Sequence, residues 1–216
     1  MAKSPVTCLF LMLALFTMPA LGQRTVTGAV LDAAGVPVEN ASVEAVPKPE
    51  QGADGFAGSH HWVRADERGW FNLQLSPGRY KIVAKRESEG YPDPSFIFNS
   101  DKTAVFPEVS VENSDISGVR VRLGTRGGFL YGTLRSQRDR NPVPHGTVTI
   151  RDARNTAAYV QLFTDSGGHF KLAIPSKPVV VSGTAPGHIG ASFGKGQELT
   201  LLPGEHVSLV IELDQQ

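Results

Sequence analysis

Asp66-Glu-Arg-Gly69-Trp-Phe71-Asn-Leu73 returns later in the chain as Asp165-Ser-Gly-Gly168-His-Phe170-Lys-Leu172. Each stretch opens with an Asp three positions before a Gly. An Asp carboxylate can accept from backbone amides just ahead of it, and Gly tolerates a positive φ, so each opening predicts a tight turn. Strict alternation comes next. Phe71, Leu73 and Leu75 are interleaved with Asn72 and Gln74, and Phe170, Leu172 and Ile174 alternate with His169 and Lys171. A period of two with one wet face is a strand packed on one side only.

Working outward, other landmarks recur in the same order. Val26-Thr-Gly28-Ala-Val30 pairs with Leu130-Tyr-Gly132-Thr-Leu134, Gly90-Tyr91 with Gly187-His188, and Val119-Arg-Val121-Arg-Leu123 with Leu209-Val-Ile211-Glu-Leu213. The repeat predicts two domains, 23–124 and 125–216, that meet at a Gly-rich stretch around Arg126. Strands are expected near 25–31, 41–46, 62–66, 70–75, 79–85, 107–111 and 118–123. In the second copy they are expected near 129–135, 146–151, 158–164, 169–174, 178–184, 198–202 and 206–213. The mature chain has no stretch with helical period. About seven short strands per copy, separated by Gly and Pro turns, predict an all-β protein of two tandem seven-stranded antiparallel β-sandwich domains.

Residues 1–22 read as an address. Lys3 precedes the apolar run Cys8-Leu-Phe-Leu-Met-Leu-Ala-Leu-Phe16, and small residues flank Leu21. That is the order of a secretory signal peptide, with an apolar run shorter than the ~20 residues of a spanning helix. Cleavage after Gly22 would remove the one Cys and leave no membrane span. The expected location is therefore exported, periplasmic or extracellular. The chain has 21 basic and 21 acidic side chains, so no charge excess draws it to nucleic acid. Asn40-Ala-Ser42 is a sequon.

Gly28-Ala-Val30-Leu-Asp32-Ala-Ala-Gly35-Val-Pro37-Val38-Glu-Asn-Ala41-Ser-Val43, the Asp66 to Leu73 stretch, Pro77-Gly78-Arg-Tyr80-Lys-Ile82 and Gly90-Tyr91 together resemble the carboxypeptidase regulatory-like domain. That family implies a transthyretin-like β-sandwich, related at fold level to Ig-like and carbohydrate-binding sandwiches. The resemblance covers nearly all of the first repeat. In the second, Arg138-Asp-Arg-Asn141 replaces the Gly before the Pro, and the Pro-Gly-Tyr turn is absent. The family's domains accompany peptidases, outer-membrane transport barrels and adhesins. The resemblance thus implies an accessory module and no chemistry of its own.

No catalytic constellation is expected. The six His lack the H-x-x-E and H-E-x-x-H spacings of a zinc site, and His60-His61 reads as a surface pair. Neither Ser166-Gly-Gly168 nor Ser59-His60 offers the context of a nucleophile on a strained elbow, as in G-x-S-x-G. Asp66-Glu67, Asp152 and Asp165 read as turn and surface acids, too few for the oxygen shell of calcium. No metal and no cofactor are predicted. One segment stands out: Pro92-Asp-Pro-Ser-Phe96-Ile97-Phe98-Asn-Ser-Asp101 is an insertion absent from the second copy. Aromatic residues in a loop can stack on a sugar or fill a partner's pocket, or fold down onto a core. Tyr91, Phe96 and Phe98, with Trp62 and Trp70, are the candidate contact residues. The expected function is a non-catalytic exported binding or scaffold protein whose partner is a glycan or an envelope protein. The alternatives are a docking module for a protein partner and an accessory of a carboxypeptidase-type enzyme.

Overall fold

The computed structural model describes residues 22–48, 60–97 and 101–216. The signal segment, apart from Gly22, and Phe98 lie outside the described residues. The chain builds four four-stranded sheets. The first sandwich contains β1 (Arg24–Leu31), β2 (Ser42–Pro47), β3 (His61–Arg64), β4 (Trp70–Leu75), β5 (Gly78–Lys85), β6 (Ala104–Val105), β7 (Glu108–Val111) and β8 (Ile116–Leu123). Its sheets run β4-β1-β8-β6 and β3-β2-β5-β7. The short helix α1 (Pro94–Ile97) lies between β5 and β6. The second sandwich contains β9 (Gly128–Ser136), β10 (Thr147–Asp152), β11 (Tyr159–Phe163), β12 (His169–Ile174), β13 (Val179–Thr184), β14 (His188–Ile189), β15 (Ala191–Ser192) and β16 (His206–Gln215). Its sheets run β12-β9-β16-β14 and β11-β10-β13-β15. The first, second and last long strands of each copy thus take equivalent places in the two topologies, as the sequence repeat requires.

Alternation does what it predicts. Along β9 every second residue from Gly128 to Ser136 is buried and the residues between are half-buried. Val26, Val30, Val43, Phe71, Leu73, Ile82 and Val121 fill the first core, and Leu130, Leu134, Ile150, Phe170, Leu172, Val181 and Ile211 the second. The two Asp turns are the same object twice. Asp66 Oδ1 accepts from the amides of Arg68 and Trp70 at 2.9 and 2.8 Å, and Asp165 Oδ1 from those of Gly167 and His169 at 2.9 and 2.8 Å. Gly69 and Gly168 both adopt φ of 73°.

Two details differ from expectation. First and last strands lie side by side and run parallel in each sandwich, β1 with β8 and β9 with β16. The chain leaves its first sheet, crosses to the other and returns, which is what a parallel neighbour requires. The expected strand at 198–202 is reduced to one bridge, Val179 to Leu199. Gly194, Lys195 and Gly196 all turn through positive φ just before it, and Leu201 then dives fully into the core. The sheet edges there are taken by the two-residue strands β14 and β15.

Candidate contact surfaces and the junction between the sandwiches

The insertion after β5 forms the junction. A single 3-10 turn, Glu87–Glu89, ends at Gly90 with φ of 83°. The chain then places Tyr91 in the first core and, a few residues on, Phe96 and Ile97 in the second. Each of the three is 1% exposed. Phe106 packs against both cores. The loop is a wedge that begins in one sandwich and ends inside the other. The sequence-based expectation that Tyr91 and Phe96 contact a ligand is therefore corrected. Their rings are used up in the cores, because the second sandwich leaves an apolar gap that α1 fills. Phe98 lies outside the described residues.

Polar bonds tie the wedge to the linker. Asp101 Oδ2 accepts from the Thr125 amide and hydroxyl, both at 2.9 Å, and Asp101 Oδ1 from the Thr103 amide and hydroxyl at 2.8 and 2.6 Å. Burial alone would raise the Asp101 carboxyl, but these bonds outweigh it and hold the group below the ordinary Asp range. Asp93 behaves alike. Burial is outweighed by bonds from Ser95 and by Lys85, whose ammonium lies 2.9 Å away, and the carboxyl is lowered. The Gly127 amide donates to Gly90 O at 2.8 Å, and the Gly204 amide to Gly127 O at 2.9 Å. The Arg126 guanidinium lies 5.1 Å from the centre of the Tyr91 ring, a cation–π contact. A Cβ on Gly127 would sit 1.8 Å from Ile174 O, so this linker residue must be glycine.

Trp62 and Trp70 remain on the surface, 69% and 54% exposed. The structure does not bring them together. Trp62 projects from the edge strand β3 and Trp70 from the edge strand β4, which belong to opposite sheets, so the rings face away from each other.

A third cluster escaped the sequence reading. On the wet face of β9, Phe129 and Tyr131 meet His206 of β16, with ring centres 4.8 and 5.6 Å apart. Lys171 Nζ of β12 lies 5.5 and 5.2 Å from the same two rings. Beside them is a concavity of about 660 Å³ lined in part by Tyr131, Thr133, His169 and Ser208. Alternation could place Phe129, Tyr131 and Lys171 on wet faces. Only the register, Lys171 opposite Tyr131 and His206 opposite Phe129, unites them.

The acids considered for calcium are occupied locally. Asp66 and Asp165 hold their turns, and Asp152 accepts from the Arg154 and Asn155 amides at 2.8 and 3.0 Å. Among the described residues no group of three His, Cys, Asp or Glu could hold a metal ion. His60 pairs with Glu44, while His61 lies in β3. Among the described residues no helix is long and apolar enough to cross a membrane.

Among solved structures, the chain is similar to the Bacillus anthracis TIE protein at 16% identity, covering 90% of this chain and 34% of that one, with a TM-score of 0.35. This chain thus spans about a third of that protein. The shaft pilin SpaA of Lactobacillus rhamnosus GG is similar at 8% identity, with 90% and 98% coverage and a TM-score of 0.35. The minor pilin of Streptococcus agalactiae is similar at 12% identity, with 89% and 96% coverage and a TM-score of 0.36. No curated protein matches the chain in sequence. The sequence profile of the carboxypeptidase regulatory-like domain matches residues 25–124, from β1 to the glycine just past β8. The first sandwich of this chain is therefore a carboxypeptidase regulatory-like domain.

Proposed function

We propose that the chain is a non-catalytic, exported scaffold that presents two sandwiches as one rigid body to a protein partner at the cell envelope. One observation carries this reading: Phe96 and Ile97, which belong to the first sandwich by sequence, are buried in the core of the second. Such a wedge, with Asp101 bonded to the linker, removes the freedom that a Gly-rich connection would otherwise give. A rigid pair fits a spacer or docking role, and Trp62 and Trp70 supply apolar surface for a partner.

Residual dipolar couplings test the rigid body. One alignment tensor should fit both sandwiches, and two independent tensors would refute the scaffold. Capture from the native envelope, with and without Trp62→Ala and Trp70→Ala, tests the partner. Mass spectrometry of the exported chain tests the address, with a mature start at Gln23 expected.

A glycan reading rests on residues other than those of the insertion. Phe129, Tyr131, His206 and Lys171 put aromatic surface and hydrogen-bond donors on one sheet face, the combination that sugars favour. A glycan screen with Tyr131→Ala as control decides it, and binding unaffected by that change would exclude this face.

A further inference from the structure

The edge strand β11 reads Tyr159-Val-Gln161-Leu-Phe163. It has no charge, no Pro and no Gly, and the uncharged run extends from Asn155 to Thr164. Sheet edges in soluble proteins are usually blunted by Lys, Pro or a bulge, because their free amides and carbonyls template pairing with another chain. None of these devices is present in β11.

The hydrogen-bond phase shows which groups are free. The Asp152 amide donates to Ala158 O at 2.9 Å and the Thr164 amide to Gly146 O at 2.9 Å. With the register Ile150 to Val160 and Val148 to Leu162, the even-numbered residues of β11 bond to β10. In an antiparallel ladder the alternate residues then aim outward. These are Tyr159, Gln161 and Phe163, and none has a backbone partner among the described residues. Their side chains are also exposed, Phe163 at 74% and Tyr159 at 44%. α1 lies against β11, yet these three side chains stay open to solvent.

The sequence of this edge is nearly a mirror of itself: aromatic, aliphatic, Gln, aliphatic, aromatic. We propose that β11 pairs with β11 of a second copy of this chain, antiparallel, about a two-fold axis through Gln161. Gln161 then faces Gln161 of the other copy, Tyr159 faces Phe163, and Val160 faces Leu162. The three outward residues fall at the hydrogen-bonded pairs, so every free amide and carbonyl of the edge finds a partner in the same register. A two-fold contact needs a self-complementary patch, and aromatic pairs directly across strands add to the pairing. Sheet β11-β10-β13-β15 becomes continuous across both copies. The other uncharged edge longer than two residues, β4, has no such symmetry, since its exposed positions read Trp70, Asn72 and Gln74. The equivalent edge in the first sandwich, β3, is shorter and carries exposed Arg64. This pairing is independent of the scaffold reading, because it requires neither a partner protein nor a rigid junction.

Sedimentation equilibrium of the mature chain over a concentration series provides the test. The unaltered chain should show a reversible monomer–dimer equilibrium. Gln161→Lys and Gln161→Glu each set like charges face to face at the axis and should weaken pairing about fivefold or more. An equimolar mixture of the two should restore it, because Lys then faces Glu. A chain that stays monomeric throughout overturns the proposal. So does a dimer that ignores both substitutions, or folded variants whose mixture does not recover. If either variant fails to fold, hydrogen exchange of the unaltered chain decides. The amides of Tyr159, Gln161 and Phe163 should gain protection as concentration rises, and concentration-independent exchange there overturns the proposal.

Discussion

The two sandwiches share the parallel pairing of first and last strands and the Asp turn, and differ in what lies between their fifth and last strands. The first carries the wedge, with Tyr91 in its own core and Phe96 in its neighbour's. The second goes from β13 through a short turn at Gly187 directly to β14 and β15. Its core is completed from outside. The copies are therefore alike in topology and unequal in self-sufficiency, and the insertion that distinguishes them is what makes them one body.

The sharpest way to break this comparison is to truncate the wedge on either side. Phe96→Ala should cost about 3–5 kcal/mol, felt chiefly in the second sandwich, although the residue belongs to the first by sequence. Tyr91→Ala, five positions earlier, should act on the first. Hydrogen exchange resolved by strand would read both. Loss of protection confined to the first sandwich in Phe96→Ala would show that the second closes its own core.

Next in size are two equivalent glycines. Gly28 and Gly132 each lie beneath a Phe ring, opposite Phe71 and Phe170. A Cβ on Gly28 would meet Val119 O at 2.0 Å and the Phe71 ring at 2.7 Å, whereas on Gly132 its nearest neighbours are all atoms of the Phe170 ring, the first at 2.1 Å. A ring can turn aside and a backbone carbonyl cannot. Gly28→Ala should thus fall at the upper end of the ~1–3 kcal/mol range for overpacking and Gly132→Ala lower in it. Chemical denaturation that returns the opposite order would remove the distinction.

Acid should loosen the junction before it unfolds either sandwich. Asp93 and Asp101 are both held below the ordinary value of 3.8. With the folded value depressed, their contribution is fully present above the unfolded value and is lost as pH falls through the folded one. Separate alignment of the two sandwiches should therefore emerge only below about pH 4, and Asp101→Asn should shift its onset upward. An unchanged onset would mean that Asp101 does not hold the linker. The smallest effect belongs to the surface. Trp62→Ala and Trp70→Ala should each change stability by within about 0.5 kcal/mol, since both rings are largely in water. A larger loss, measured by thermal unfolding, would mean that these rings are packed.

Much of this fold could be read from residues alone, because its signals are local. Asp66 and Asp165 announce their turns, and alternation along β4, β8, β12 and β16 announces which side is wet. The insertion was also visible, as an apolar segment where a polar loop is normal. Which way it faces was not, because Phe96 joins the core that holds Leu130 and Ile150, far along the chain. The Phe129, Tyr131, His206 and Lys171 cluster was hidden for a related reason: three strands and their flanks contribute to it, and nothing in any one of them reports the register. The lost strand at 198–202 had suitable residues, but the turn from Gly194 to Gly196 and the burial of Leu201 prevent the segment from lying along a neighbour.

The wedge also sets an order of events as the chain emerges amino-terminus first during synthesis. By Leu123 every strand of the first sandwich has emerged, and that half can close before any of β9 is available. Phe96 and Ile97 then lack the core of the second sandwich that buries them. A half-delivered chain thus displays a sticky apolar turn for as long as the remaining residues take to arrive, and a holdase that engages it would be released by the second sandwich itself as it folds around that turn.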